Sequence, residues 1–456
     1  MPALLTQKYR SFLAKQFSNA IATGMVGAYI FIGRPSPWTD PANNAVSDTN
    51  PPIPVDDVQT QDFDLWRDLL AAKRVTEAST QLVVPRRDWT TGTIYDQYDD
   101  LDANLYSKAY FVLDTLDMPF KVYKCLWNNN GGTSTVAPST IDTALTPQET
   151  ADGYVWQYMY TIDSLYTKFL SNAWMPVLED ASVQANAWTY QGRLPTAVPL
   201  VIEDGGATYN ASLNVVVTLV GDGAGAAVAN SGVAITGGVI DSIVLSTGGL
   251  GYSEVTSINA YQAGAGTMAT VRAIIPPYPN HGYDPIKELH ATALMLTAQF
   301  DQSEANNLTI VNDYRRVGLL INPTESSNGD LAAASFYRQT TDIAISANTG
   351  VFLRDDVITN ISKASRPTAI VVDVVDDGAS NYTVRVVGVD DEGETDPFEY
   401  GETIKNLDSA VEATVSGATG PELTPFSGDI VWVNQRTPIT RGSDQIEEIK
   451  VVFPFK

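Results

Sequence analysis

The sequence predicts a mainly β, multi-domain protein: β-sandwich layers with a few peripheral helices and an inserted small β module rich in glycine. The apolar run Gly27–Gly33 has the pattern of a fully buried strand. Aromatic residues alternate over Tyr154–Ile162 with the period of two that is typical of a strand. Between Gly205 and Thr270 small residues dominate, as in short strands joined by glycine turns. At 456 residues the chain exceeds the usual size of a single core, so we expect several domains.

Composition and charge exclude several classes of function. Lys and Arg total 28 against 53 Asp and Glu, which gives a formal net charge of -25. Such a surface repels nucleic-acid phosphates and anionic lipids. The longest apolar stretches, such as Met25–Gly33, are shorter than the ~18 residues of a membrane helix, and the N-terminus lacks the pattern of a signal peptide. One cysteine and two histidines leave little for disulfides or metal sites. We therefore expect no nucleic acid, no membrane and no cofactor, and folding in a reducing cytoplasm.

The N-terminal region is predicted to begin with a helix followed by the buried strand. Apolar residues recur every three or four positions from Leu5 to Ile21, and Gly24 is suited to end that helix. After the strand comes a proline-rich loop, Arg34–Val58, with prolines at 35, 37, 41, 51, 52 and 54. Loops of this length in a compact protein tend to be functional or to lie against a neighbour. A second helix is predicted over Phe63–Ser79.

The aromatic strand places Tyr154, Trp156, Tyr158 and Tyr160 on one face of a sheet. That face can be core, partner surface or a platform for sugars. We favour the core, because large aromatic side chains are most often buried.

Domain limits are predicted from shifts in composition. The main body takes residues 1–200 and resumes at 277–366, around the inserted module at 201–276. A C-terminal region, 367–456, is β-rich and acidic, and its last strands are expected to return to the body. Its Asp376-Asp377-Gly378 is a hairpin signal.

Candidate catalytic and phosphate-binding patterns all have simpler interpretations. The glycine clusters Gly221–Gly225 and Gly248–Gly251 lead into no periodic helix, which favours turns over phosphate loops. The carboxylates of Tyr95–Asp102 are neighbours in one loop, where turn capping is the expected role. A glycoside hydrolase instead sets two carboxyl groups across a cleft.

The sequence gives equally little support for a metal site or a catalytic nucleophile. The run Asp390–Asp396 lacks the ligand spacing of a calcium loop. His281 and His290 lack the spacing that puts two imidazoles on one metal. Cys125 is expected to be a small buried apolar residue. We therefore expect no enzymatic activity.

Several motifs, in the same order along the chain, resemble one known family. They are Tyr29–Trp38, Asn50–Pro52, Gly92–Asp100, Val122–Asn130, Asp152–Thr161, His281–Pro285 and Thr437–Arg441. They are similar to the baseplate wedge protein of large contractile-tailed bacteriophages, counted as the eighth gene product in the type phage. The resemblance covers about residues 1–195, 278–345 and 425–456. The glycine-rich insertion and the acidic stretch around Asp390 depart from the short form of the family.

The resemblance implies a structural virion protein without catalysis and without a small-molecule substrate. It implies a multilayer β-sandwich subunit that forms a homodimer in each wedge of the sixfold baseplate, contacts other wedge proteins and helps hold the baseplate before contraction. Assembly would take place in the host cytoplasm. The proline-rich loop suits such contacts because a preformed extended segment loses little entropy on docking. Tryptophan is enriched where interfaces carry most energy, and seven of the eight lie before residue 190. The expected interface residues are Arg34, Pro35, Pro37, Trp38, Pro51, Pro52, Trp89, Tyr95, Tyr98 and Trp127.

Two other classes of protein compete with this interpretation. A carbohydrate-binding or hydrolysing tail adhesin also uses aromatic rows and carboxylates on β scaffolds. It should expose its rings and form a trimer, whereas a wedge subunit should bury them and dimerise. A plain soluble enzyme lacks any candidate triad or cofactor loop in this sequence.

Overall fold

The computed structural model describes residues 4–39, 45–309, 312–378, 381–391, 396–442 and 445–455. It is mostly β, which confirms the predicted fold class. The helices are α1 (Gln7–Ala22), α2 (Leu65–Arg67), α3 (Ala181–Thr189) and α4 (Pro285–Glu288), with a π-helical turn at Thr60–Asp64 and 3₁₀ turns at Glu77–Ser79, Leu105–Ser107, Pro138–Ile141 and Thr167–Phe169.

The strands run from the N-terminal region to the end of the chain. The first twelve are β1 (Ala28–Gly33), β2 (Leu69–Arg74), β3 (Thr80–Pro85), β4 (Phe111–Asp114), β5 (Phe120–Trp127), β6 (Gln148–Glu149), β7 (Val155–Ile162), β8 (Trp174–Pro176), β9 (Val201–Asp204), β10 (Val216–Gly221), β11 (Ala224–Thr236) and β12 (Val239–Leu250). The others are β13 (Val255–Tyr261), β14 (Thr270–Arg272), β15 (Ala293–Phe300), β16 (Tyr314–Ile321), β17 (Phe336–Arg338), β18 (Thr341–Ser346), β19 (Val357–Asn360), β20 (Thr368–Gly378), β21 (Asn381–Asp390), β22 (Thr403–Asn406), β23 (Glu412–Thr419), β24 (Asp429–Ile439) and β25 (Glu447–Pro454).

The chain divides into two compact units. Unit 1 takes Met1–Gln16, Gln81–Met295 and Val452–Lys456, and unit 2 takes Phe17–Thr80 and Leu296–Val451. A four-stranded sheet has the order β25-β15-β3-β8. The domain limits expected from composition stay a prediction.

The first predicted helix is confirmed as α1, and Gly24, with φ of 72°, follows its end. Its buried positions include Ala14 and Ile21, while Tyr9 and Phe12 are exposed. The apolar period therefore predicts the helix correctly, although two of its aromatic rings remain in contact with solvent.

The aromatic strand lies in a four-stranded sheet of unit 1 with the order β4-β5-β7-β6. Strand β7 pairs antiparallel with β5, with Tyr158 opposite Tyr123 and Trp156 opposite Cys125. All of these side chains are buried, as is Tyr154 just before the strand. The prediction that this row is core is confirmed.

The glycine-rich segment forms two groups of strands within unit 1. One is a sheet with the order β10-β13-β14-β9, and the other is the long hairpin β11-β12. Gly237 and Gly238 both have positive φ and form the hairpin turn, where a side chain would be strained. The hairpin strands have 13 and 12 residues, longer than the short strands expected.

Unit 2 contains a five-stranded sheet with the order β17-β2-β1-β16-β24. Every residue of β1 is buried, which confirms the strand predicted between Gly27 and Gly33. The helix predicted over Phe63–Ser79 is wrong beyond Arg67, because Leu69–Arg74 is strand β2. Leucine and alanine favour helices, but β2 is hydrogen-bonded between β1 and β17 and its first four residues are buried. Tertiary pairing overrides the local preference here.

A closed six-stranded barrel makes up the other part of unit 2, with the order β18-β21-β20-β19-β22-β23. Its interior is filled by isoleucine and valine side chains, among them Ile343, Val371 and Val384. The predicted hairpin is confirmed as the antiparallel pair β20-β21, although Asp376-Asp377-Gly378 belong to β20 and the connecting residues 379–380 lie outside the described residues. The barrel takes strands from both sides of residue 367.

Candidate interaction surface

The expected interface residues lie in both units, so they are taken as two groups. The proline-rich loop lies in unit 2, and the aromatic residues Trp89, Tyr95, Tyr98 and Trp127 lie in unit 1. Pro41 and its neighbours from 40 to 44 lie outside the described residues.

The first part of the loop is fixed by Trp38. This side chain is only 6% exposed, and its Nε1 donates a hydrogen bond of 2.8 Å to the carbonyl oxygen of Arg436. The guanidinium groups of Arg34 and Arg316 lie 4.9 and 5.6 Å from the centre of its ring. Trp38 and the buried Pro35 therefore anchor the loop within the chain, and little of either is available to a partner.

An ion pair between Asp48 and Arg315 holds this part of the loop in place. Asp48 accepts two hydrogen bonds of 2.8 Å from Arg315, and its Oδ1 also accepts one from the Trp38 backbone N–H at 2.8 Å. The bonds from Arg315 hold the pKa of Asp48 below its usual range. Arg315 also donates to the carbonyl oxygen of Pro35. Residues 35, 38 and 48 are thereby tied to one arginine of β16.

The second part of the loop is exposed and apolar. Ile53, Val55 and Val58 are 85%, 55% and 69% exposed, although isoleucine and valine are usually buried. Pro51 and Pro52 are half-buried beside them. These prolines were predicted from the sequence and the three aliphatic residues were missed, although their signal was their place beside or shortly after the last prolines of the loop. They are the exposed part of the candidate surface.

In unit 1, Tyr95 is buried in the core, and Trp89 packs against the same cluster of side chains. Tyr95 is 4% exposed, its hydroxyl accepts a hydrogen bond of 2.7 Å from the Thr90 N–H, and its ring meets Trp156 edge-on. Trp89 is half-buried and donates from Nε1 to Ser134 Oγ at 3.0 Å. The polar groups of both side chains are hydrogen-bonded within the chain.

Tyr98 and Trp127 are half-buried. The Tyr98 hydroxyl donates to the carbonyl oxygen of Ile275 at 3.2 Å, and burial raises its pKa. Trp127 lines an open cleft of about 560 Å³ with Asn128, Asn130 and Asp241. Trp127 is therefore placed beside open space.

The aromatic row of β7 has no ring free for a sugar. Tyr154 and Trp156 stack with ring centres 5.5 Å apart, and the Tyr154 hydroxyl donates to the Gly132 carbonyl oxygen at 2.6 Å. The Tyr160 hydroxyl donates to the Pro176 carbonyl oxygen at 3.0 Å. An adhesin that stacks sugars on this row would need these rings exposed.

Unit 1 contains a buried charged cluster that was not predicted from the sequence. Lys124 is fully buried, and its Nζ lies 2.7 Å from Glu288 Oε2 and 2.9 Å from His281 Nδ1. Glu288 Oε1 accepts the Gly282 N–H at 2.8 Å. Burial lowers the pKa of Lys124 and lowers that of His281 well below its usual value. The only sequence signal was a lysine between apolar residues of a strand, far from its partners along the chain.

The carboxylates of the loop before Asp102 are engaged in ion pairs and turns. Asp99 forms a two-pronged pair with Arg272, and Asp102 pairs with Lys108 at 2.5 Å. Asp99 also accepts the Leu101 N–H at 3.0 Å, which is the turn-capping role expected. Cys125 is buried, as predicted.

Among the residues that the structure describes, no three His, Cys, Asp or Glu side chains are grouped to hold a metal ion. The acidic run Asp390–Asp396 falls largely outside that part of the chain. None of the described helices is long and apolar enough to cross a membrane.

The fold and the surface define a multi-domain, mainly β protein with an anchored, exposed proline-rich loop. Residues 3–126 match the family model described as "Bacteriophage T4, Gp8". The chain is 27% identical over 188 residues to "Baseplate wedge protein gp8" of Enterobacteria phage T4, a match that covers 35% of this chain and 55% of that protein. The match thus spans about half the length of this relative. The resemblance to the baseplate wedge proteins predicted from the sequence is confirmed.

Proposed function

We propose that this protein is a structural subunit of the baseplate wedge of a contractile phage tail. The observation that carries the proposal is the match of residues 3–126 to the wedge family. The match includes β1 and the whole proline-rich loop, so the candidate surface lies within the related segment. The subunit is assembled in the host cytoplasm and resides in the tail baseplate, where it helps hold the baseplate before contraction.

The proposed contacts are with a second copy and with other wedge proteins, through the exposed part of the loop. Ile53, Val55 and Val58 present apolar side chains to solvent. The prolines at 51, 52 and 54 restrict the backbone of this segment. Little conformational entropy is therefore lost when a partner binds to it. The anchor at Trp38 keeps the segment at a fixed place on unit 2.

Light scattering on the purified protein tests the homodimer. The expected mass is about twice 49.2 kDa. Negative-stain microscopy of virions labelled with an antibody against the protein should place it at the baseplate. A monomer at micromolar concentration, a trimer, or label on the tail fibres would contradict the proposal.

We also propose that the protein has no hydrolase activity. Asp99 and Asp102 are held in ion pairs with Arg272 and Lys108. Purified protein should leave host polysaccharide, peptidoglycan and peptides unchanged. Turnover that disappears on substitution of Asp99, Asp100 or Asp102 would show that the proposal is wrong.

A further inference from the structure

A small polar cavity in unit 1 has a wall without any carboxylate. Its volume is about 200 Å³, the scale of one large side chain. The residues that line it are Leu145, Thr146, Pro147, Gln148, Gln157, Asn186, Ala187, Tyr190, Arg193, Leu194, Pro195, Thr196, Asn280 and His281. In a chain with 53 acidic residues, a cavity lined by an arginine, a histidine and several amides is electrostatically distinct from its surroundings.

The hydrogen bond from Lys124 fixes the tautomer of His281. A lysine ammonium group has three donors and no acceptor, so His281 Nδ1, at 2.9 Å, must accept with its lone pair. The proton of the neutral ring then lies on Nε2. Glu288, 2.7 Å from Nζ, favours the charged ammonium form of Lys124 against the burial that lowers its pKa, and holds the group in place.

The donor on His281 Nε2 is not used inside the described part of the chain. The side chain is 3% exposed, and none of the described residues forms a hydrogen bond with Nε2. Nε2 is not sealed from solvent, and a ligand acceptor in the cavity that His281 lines would accept its hydrogen bond.

Arg193 supplies positive charge to the same cavity. Its guanidinium carbon lies 4.9 Å from the centre of the Tyr190 ring. No carboxylate of the described residues pairs with it. Gln157, also in the wall and buried, donates its amide N–H groups to the carbonyl oxygens of Leu145 and Tyr158, which fixes its orientation. The cavity thus combines a planar cation and a neutral N–H donor, while the N–H groups of Gln157 are used within the chain.

We propose that this cavity binds a carboxylate group, either of a small organic acid or of an acidic side chain of a neighbouring polypeptide. A planar guanidinium group matches a carboxylate in geometry as well as in charge. The net charge of -25 opposes a multiply charged phosphate more than a single carboxylate. The volume admits a group of about the size of a glutamate side chain. The proposal does not depend on the role in the baseplate.

The two histidines make a direct test possible. In protein labelled with ¹⁵N-histidine, the imidazole spectrum holds signals from His281 and His290 alone. The free protein should show His281 as the neutral tautomer protonated on Nε2. Millimolar propionate, a mimic of the glutamate side chain, should shift the Nε2 signal of His281 and leave His290, which does not line the cavity, unchanged.

The variants separate this site from a general effect of charge. Arg193→Gln should weaken the response to propionate at least tenfold. Lys168→Gln removes one positive charge from an exposed position of unit 1 outside the cavity and should respond like the parent protein. A capped Ala-Glu-Ala peptide distinguishes the sources, because tighter binding than propionate indicates a protein side chain and weaker binding indicates a small acid.

Three results would overturn the proposal. One is a His281 signal that propionate and the peptide both leave unchanged. Another is an Arg193→Gln variant that responds like the parent protein. The third is a shift with inorganic phosphate but not with propionate, which would assign a different anion to the cavity.

Discussion

Lys124 shows how a single buried charge can be tolerated in a β core. The residue lies in β5 between Tyr123 and Cys125, and none of its side chain reaches solvent. Its charge is balanced by Glu288, and its remaining donors meet His281 and, across 4.1 Å, the ring of Tyr98. Removing one member of such a pair leaves the other charge buried and unpaired.

Lys124→Met should therefore lower the free energy of unfolding by about 3 to 5 kcal/mol. Urea denaturation followed by circular dichroism measures the change. Lys121→Met is the matched control in the same strand, because the partner of Lys121 is the largely exposed Asp142. That variant should lose no more than about 1 kcal/mol. If both variants lose the same free energy of unfolding, the buried pair stabilises the protein no more than the exposed pair does.

At the scale of elements, the sheet of unit 2 depends on a close approach between two strands. Gly318 in β16 lies opposite Phe31 in β1, and a Cβ at position 318 would overlap the Phe31 ring and crowd the carbonyl oxygen of Trp432. The glycine is required there by space, because its φ is not positive.

Gly318→Ala should destabilise the protein by about 1 to 3 kcal/mol through overpacking. Gly417→Ala is the control, since β23 leaves open space around the added methyl group. Its effect should stay within about 0.5 kcal/mol. Thermal unfolding of both variants gives the comparison. If the melting temperature of Gly417→Ala falls as far as that of Gly318→Ala, the packing argument is wrong.

The proline-rich loop combines an anchored half with an exposed half, and the two halves predict different consequences of substitution. Ile53→Asp should leave the melting temperature unchanged, because the side chain is 85% exposed. It should weaken self-association or incorporation into the baseplate, since a charge replaces apolar contact area at the proposed interface. Light scattering and virion microscopy report the loss.

Leu101→Asp is the control for Ile53→Asp, because Leu101 is 71% exposed on unit 1. It introduces the same charge in unit 1, at a residue that is not part of the loop, and should assemble normally. If both variants assemble like the parent protein, the loop is not the interface.

The sequence predicted those elements of the molecule that short local patterns define. The helix α1 and the strand β7 follow from apolar or aromatic spacing, the strand β1 from a continuous apolar run, and the hairpin between β20 and β21 from a turn signal. The strand β2 did not, because its leucines and alanines favour a helix until β1 and β17 pair with it. The anchoring of Trp38 by Asp48 and Arg315 joins residues far apart in sequence, so a list of loop aromatics could not separate buried from exposed side chains.

The glycine-rich module is proposed to be separate from the main core, and deleting it tests this. Replacing Ile202–Ile275 with a short Gly-Ser linker should keep the rest of the protein folded and dimeric, because closing a loop depends only weakly on its length. The module's core also covers Leu194 and Leu200, which lie outside the deletion and would become exposed. Changing both to serine in the deletion variant removes that apolar surface, so insolubility could no longer be attributed to it. Circular dichroism should then show a cooperative unfolding transition and light scattering a dimer. An unfolded or insoluble product, despite the two serines, would mean that the segment is part of the main core and not a separate module.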